Sequence, residues 1–487
     1  MKRRRPRRFD RSALLARAIA GGFAAVVSLG VFVPGNAFAS HLPRLNSTHQ
    51  SDGILDVSCP SWGNCTAVGF VHVDSGVSRG LIASQRSGRW TPSQSAPLPP
   101  NASGAPDVSI DAVSCAAANA CSAVGFYNAV GANGAGLLLT ESGGVWSSSQ
   151  AVLPGDAAVN AYVAIRDIAC PAVGDCSAIG TYKDQTGAYK LLILSQASGK
   201  WSNGVSVTLP SRSNAQPQSI ACVTPQDCVA VGSYSDASGR QHGLLLTKRA
   251  ASWALTNVPL PHNAIPKREV NVSSISCASV RHCAAVGSYV DKTSTAQGMF
   301  LRESPSGWTS VEAAFPSGAL GARLSGGLSC ASPGNCTAIG DYEDAARNTQ
   351  GVTFSESRGS WSPGVEFSLP SGAATQPATQ LQSIACPRRG YCSAVGSYNG
   401  SSGNPTFWPG GLLAKETAGR WKSDIEATLP RVSSGSVLFG RIVCTSVGNC
   451  VAVGQFNVDN AGTSAGLVLT ETRGKWGVGT AVGPPAR

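Results

Sequence analysis

The stretch Cys222–Tyr234, CVTPQDCVAVGSY, decides the fold, because variants of it occur eight times along the 487 residues. Two cysteines with five residues between them recur as Cys59/Cys65, Cys115/Cys121, Cys170/Cys176, Cys222/Cys228, Cys277/Cys283, Cys330/Cys336, Cys386/Cys392 and Cys444/Cys450. These are all 16 cysteines, and successive pairs stand 52 to 58 residues apart. Every second cysteine opens C-x-A-[VI]-G. A tryptophan follows the first cysteine by 31 residues in six copies and by 35 and 32 in the last two (Trp90, Trp146, Trp201, Trp253, Trp308, Trp361, Trp421, Trp476). A proline comes eight or nine residues later. A fixed period with fixed chemistry is an internal repeat.

Each copy reads as four short strands. An apolar strand ends at the first cysteine (Ile54–Cys59, Gln218–Cys222, Gln382–Cys386). A turn rich in Pro, Gly, Asn and Asp leads to the second strand, such as Cys228–Tyr234. A loop of variable sequence precedes the third (Gly136–Glu141, Gly243–Lys248), and a glycine two before the tryptophan in most copies marks the turn into the fourth. Short strands at regular spacing define an all-β protein, and no stretch of the repeats carries a helical period. A unit this small cannot bury both faces of its sheet alone. Stacked radially on its neighbours it can, which predicts an eight-bladed β-propeller of four-stranded antiparallel blades, a monomer. Small residues at fixed positions suit close blade contact. Ala stands two after the second cysteine in all eight copies, and Ser or Ala just before the first in seven.

Each cysteine pair brackets one hairpin turn, which sets the two Cβ atoms within bridging range. One disulfide per blade is expected. Zinc favours shorter spacings and four ligands gathered at one site, so no metal or other cofactor is expected. In the chain-entropy model a bridge over so short a loop contributes about 2–2.5 kcal/mol.

The N-terminus differs in kind. Met1–Arg17 carries eight of the 38 Lys+Arg and one acid, Asp10. An apolar run from Ala18 to Val33 and the small-residue pattern Ala37-Phe38-Ala39 follow. These are the parts of a secretory signal peptide, expected to end at residue 39, with residues 40–487 forming one propeller domain. The apolar run is short for a bilayer span, so cleavage is favoured over a retained anchor. Taking eight bases from 38 and one acid from 27 leaves 30 and 26, a net of +4. That is no nucleic-acid footprint, and no later segment reads as a membrane span. A secreted, extracellular protein is expected.

The order of glycine-ending strand, third strand, Gly-x-Trp turn and Leu-Pro resembles the kelch repeat of galactose-oxidase-type propellers. The turn Ser142-Gly143-Gly144-Val145-Trp146 resembles the Asp-box hairpin of sialidase-like propellers. The kelch double glycine is a single one here, as in Val68-Gly69, and the Asp-box aspartate is missing. Over nearly all of residues 40–487 the chain is most similar to secreted bacterial proteins with C-x5-C-x-A-V-G repeats, a likeness that implies the fold and no particular activity.

Departures from the repeat are the places to look for chemistry. The loop Asn399–Gly411 is longer than its counterparts and carries Phe407 and Trp408, which could stack on a sugar ring or tuck under their own loop. The loop His262–Glu269 gathers His262, Lys267 and Arg268, an anion grip or a solvated charged loop. Three residues before the first cysteine most copies have Ala, Ser or Gly, but copies 1 and 3 have Asp56 and Asp167 and copy 8 has Arg441. Copies 1 and 8 become neighbours when a ring closes, so Asp56 and Arg441 are expected to form a structural ion pair across the seam. Asp184, Asp236, Asp291 and Asp344 each sit two after the repeated tyrosine. One Asp per loop is too few oxygens for calcium, and turn formation is the reading adopted. No nucleophile, paired-carboxylate or metal-protease motif is present, so no catalytic residue is assigned. A non-catalytic recognition propeller for an extracellular glycan or protein is expected. A glycan-active hydrolase or lyase at the channel mouth and a passive surface protein are the alternatives.

Overall fold

The computed structural model describes residues 52–483 except 74–76, 211–212, 266–268, 401–408, 432, 434 and 460–462. Each of the eight sheets comes from one continuous piece of chain: 53–95, 109–150, 164–201, 214–256, 271–312, 321–366, 380–426 and 437–482, blades 1 to 8. Within a blade the strands pair antiparallel in chain order. In blade 4 the order is Asn214–Thr224 innermost, then Asp227–Ser235, Gln241–Arg249 and Ser252–Thr256 outermost.

The repeated sequence explains the packing. The alanine two after each second cysteine is fully buried, as at Ala67, Ala178 and Ala452. Core clusters span adjacent blades: Ala112, Val124 and Leu138 of blade 2 pack with Ile165, Ala178 and Leu192 of blade 3. Apolar surface is therefore removed from water between blades, and a lone blade would leave it exposed.

Every cysteine is in a disulfide within its own blade. In blades 1 to 4 Cys59 joins Cys65, Cys115 joins Cys121, Cys170 joins Cys176, and Cys222 joins Cys228. In blades 5 to 8 Cys277 joins Cys283, Cys330 joins Cys336, Cys386 joins Cys392, and Cys444 joins Cys450. The two members of a pair are not equivalent. The second cysteines, Cys65, Cys121, Cys176, Cys228, Cys283, Cys336, Cys392 and Cys450, are all buried, whereas the first are half-buried apart from Cys386. These residues are core-facing staples, not a surface presented to a ligand. Each of the eight repeat tryptophans packs in the same cluster as a cysteine of its blade's bridge, as Trp146 does with Cys115 and Cys121.

The ring closes. Blade 1 residues Ile54, Val57 and Leu81 share a core with Val451, Val453 and Val468 of blade 8. The amide of Asp52 donates to the carbonyl of Ser464 at 3.3 Å, and the Ser464 hydroxyl donates to the Asp52 carbonyl at 3.2 Å.

One local irregularity shapes the centre. In blade 1 Ile54 pairs with Gly69 and Asp56 with Val68, so Leu55 is an extra, unpaired residue. The same bulge falls on Asp111, Arg166, Gln218, Ser273, Gln382 and Gly440. A β-bulge bends the strand and re-aims its side chains. It also explains the glycine of C-x-A-[VI]-G. A Cβ at Gly69 would lie 1.9 Å from the carbonyl oxygen of Gly53, and one at Gly125 2.0 Å from that of Ser109.

Candidate functional site: the central channel

Because of the bulge, two consecutive residues of an inner strand face the channel instead of one. They line a polar space of about 600 Å³. Its two sides differ in chemistry. Blades 8, 1, 2 and 3 supply Arg441, Asp56, Asp111, Arg166 and Asp167, whereas blades 4 to 7 supply Gln218, Ser219, Ser273, Ser274, Ser325, Gln382 and Ser383.

The carboxylates on the charged side are largely committed to the ring. Asp56 accepts the amide of Val57 at 2.9 Å and that of Val113, in the next blade, at 2.8 Å. Asp167 does the same with Ile168 at 2.9 Å and Ile220 at 2.8 Å. Arg441 Nε lies 3.3 Å from Asp56 Oδ1, so the two residues singled out by sequence meet at the seam between blades 8 and 1. Burial pushes both carboxyls above the usual range, against the pull of Arg441 and of the backbone amides. The nearby Asp56 raises the Arg441 guanidinium in turn, with a smaller contribution from Asp167. Asp111 accepts a hydrogen bond from Ser109 at 2.6 Å, and burial outweighs that bond and Arg166 to raise its carboxyl.

Serines bind neighbouring blades in the same manner. The hydroxyls of Ser58, Ser114, Ser276 and Ser329 accept the amide of the next blade's first cysteine at 2.9–3.0 Å. Ser383 accepts the amide of Ile442 at 3.1 Å. In the four copies with serine before the cysteine, that small residue is thus a hydrogen-bond acceptor as well as a close-packing one.

The remaining sequence candidates fall elsewhere. His262 is exposed in the connector turn entering blade 5. Lys267, Arg268, Phe407 and Trp408 lie outside the described residues. The repeated loop aspartates form turns. Asp291 Oδ1 accepts the amides of Thr293 and Thr295, and its Oδ2 accepts Gln297 Nε2 at 3.0 Å. Asp184, Asp236 and Asp344 accept the matching backbone amides. The Asp291 carboxyl ends at about 2: burial, the largest single influence, raises it, and the hydrogen bonds from Thr293, Thr295 and Gln297 together outweigh that cost. Among the described residues no three His, Cys, Asp or Glu side chains are grouped as metal ligands.

Two features escaped the sequence reading. Strict strand alternation aims Arg166 away from the channel, and only the bulge turns it in. Five residues before the tryptophan stand Glu141, Glu303, Glu356, Glu416 and Glu471, all buried between blades at the cysteine-turn end. Three are met by a cation of the preceding blade: Arg86 lies 2.9 Å from Glu141, Arg249 pairs with Glu303, and Lys415 lies 2.9 Å from Glu471. Their recurrence at one register position was the available signal.

Fold and channel together define an eight-bladed, disulfide-pinned propeller with a polar centre. No protein-family model matches the chain, and no curated protein matches it. Among solved structures it is similar to the WD40 domain of SCAP from fission yeast (TM-score 0.45, 9% identity, 88% of this chain and 96% of that one). It is also similar to the BP39L lectin from Burkholderia pseudomallei (0.41, 11%, 76% and 98%). A third is an ulvan lyase of polysaccharide lyase family PL25 (0.39, 9%, 89% and 96%).

Proposed function

We propose that this protein is a secreted, non-catalytic recognition propeller whose channel and variable-loop face hold a hydroxyl-rich extracellular ligand, a glycan. The observation that carries this is the channel lining. Amide and hydroxyl groups on one side and paired charges on the other offer donors and acceptors in a concave space of ligand size. The commitment of Asp56 and Asp167 to backbone amides supports a non-catalytic role. A hydrolase of the two-carboxylate kind needs a free pair flanking the bond, and Asp111 alone remains. Secretion is supported by eight disulfides, which form and persist in oxidising compartments, together with the N-terminal signal pattern.

The test is a glycan array probed with the oxidised protein, alongside Gln218→Ala/Gln382→Ala and, for the longer loop of blade 7, Trp408→Ala. The proposal expects a bound glycan whose affinity falls at least about tenfold in the double variant, in line with losing two hydrogen bonds. Absence of any bound glycan, binding indifferent to the channel variant, or turnover of the glycan would overturn it.

A further inference from the structure

The face opposite the variable loops carries a pattern that neither the channel nor ring closure uses. Each cysteine turn is a hairpin with a two-residue apex, Trp62-Gly63 between the paired Ser61 and Asn64 being the first. The first apex residue is apolar in seven of the eight turns, Arg389 in blade 7 being the exception. Trp62, Val173, Val280 and Val447 are exposed there by 39%, 59%, 44% and 40%, and Ala118, Pro225 and Pro333 hold the same place. Single exposed apolar residues need no explanation. Pro225 and Pro333 are ordinary turn formers, but Trp62, Val173, Val280 and Val447 at one register position are not, because turn apices otherwise take polar or turn-forming residues.

The exposed charges around this circle are all positive. The third-to-fourth-strand turns lie beside the cysteine turns, as the Gly88 amide donating to the Gly63 carbonyl at 2.9 Å shows. Together the two sets of turns expose Arg89, Lys200, Arg281, Arg358, Arg388 and Arg389, joined by Arg420, Arg473 and Lys475. Their acids do not balance them. The five glutamates point inward between blades, Asp227 is buried, and Asp175 is half-buried, accepting the Ser198 amide. The modest net charge of residues 40–487 therefore hides a cationic face.

We infer that the cysteine-turn face docks on an anionic lipid bilayer, the apolar apices entering the headgroup layer and the surrounding arginines and lysines meeting lipid phosphates. Basic residues attract anionic leaflets at short range, apolar tips add buried area, and tryptophan favours the interface. The apolar circle favours a bilayer over a soluble polyanion, which would need only the charge.

The test is flotation of the full chain with vesicles of phosphatidylglycerol and phosphatidylcholine, against pure phosphatidylcholine. Residues 1–51 are common to every variant, so differences report the face. The triple variant Arg388→Ser/Arg389→Ser/Arg420→Ser should bind the anionic vesicles on the order of 100-fold more weakly, about fivefold per charge. Trp62→Ser/Val280→Ser should lose about tenfold with its charge unchanged. Brominated lipid should quench a part of the tryptophan emission that Trp62→Phe lacks. All the substituted residues are exposed, and unchanged thermal melting would confirm the fold. The inference is overturned if neither variant alters vesicle binding, or if the Trp62→Ser/Val280→Ser protein binds as the parent does. It is equally overturned if dextran sulfate is bound in place of vesicles.

Discussion

Replacing Asp56 by Ala separates two ways in which the ring could hold its seam. The carboxylate contributes two backbone acceptances and one ion pair. Losing it leaves the buried amide of Val113 without its acceptor, at a cost of about 1–3 kcal/mol, and frees Val57 as well. Removing a buried carboxylate also relieves a desolvation cost, the same cost that raises its pKa, so the net loss should be about 2 kcal/mol. Asp56→Asn keeps one acceptor oxygen and should lose about 1 kcal/mol. Arg441 is half-exposed to the channel, so Arg441→Ala should cost no more than about 1 kcal/mol. Urea unfolding of the oxidised proteins, read by tryptophan emission, gives the order Asp56→Ala, then Asp56→Asn, then Arg441→Ala. If Arg441→Ala proves as damaging as Asp56→Ala, the ion pair carries the seam and the backbone account is wrong.

Three further predictions test other parts of the structure. Burial raises the Asp52 carboxyl from 3.8 to about 6, against a backbone bond from His72, so its folded state takes up a proton more readily than the unfolded chain. That contribution is full below about pH 4 and is lost as pH rises through 6, so stability at the seam should increase on mild acidification. Asp52→Asn should flatten the dependence of the urea midpoint between pH 4 and 7, and an unchanged slope would count against it. Glu416 is a buried glutamate with no cation opposite, since Ser355 stands where Lys415 and Arg302 stand in the neighbouring repeats. Glu416→Gln should therefore stabilise by about 1 kcal/mol while Glu471→Gln, losing Lys415, destabilises by a similar amount; equal signs in thermal melts would refute this. Gly125→Ala should abolish accumulation of oxidised protein, because its Cβ meets backbone at 2.0 Å, whereas Gly104→Ala, with open space around it, should be silent in the same expression assay.

Much of the architecture was legible because the repeat acts as its own alignment. Eight cysteine pairs and eight tryptophans at matched spacing set the number of blades, and the requirement that every sheet be covered turned a row into a ring. The seam pair of Asp56 and Arg441 was legible for the same reason: two charges break the pattern at one register position in blades that only closure makes neighbours. The channel lining was half legible. Period-two alternation assigns one inward residue per inner strand, and the bulge that adds Arg166 and Gln218 leaves only a glycine on the adjacent strand as its trace. The inward glutamates look like solvent-facing turn charges until the preceding blade supplies Arg86 or Lys415. The cationic face was invisible to a net charge, because its arginines come from different repeats and converge only in the folded ring.

Closure itself is open to one direct measurement. The Asp52 amide has its acceptor, the Ser464 carbonyl, in the last blade, more than 400 residues along the chain. Residue-resolved hydrogen exchange on the oxidised protein should find that amide slowed by orders of magnitude relative to an unstructured peptide. Exchange at the unstructured rate, with the other blade amides still protected, would mean that blades 1 and 8 do not meet.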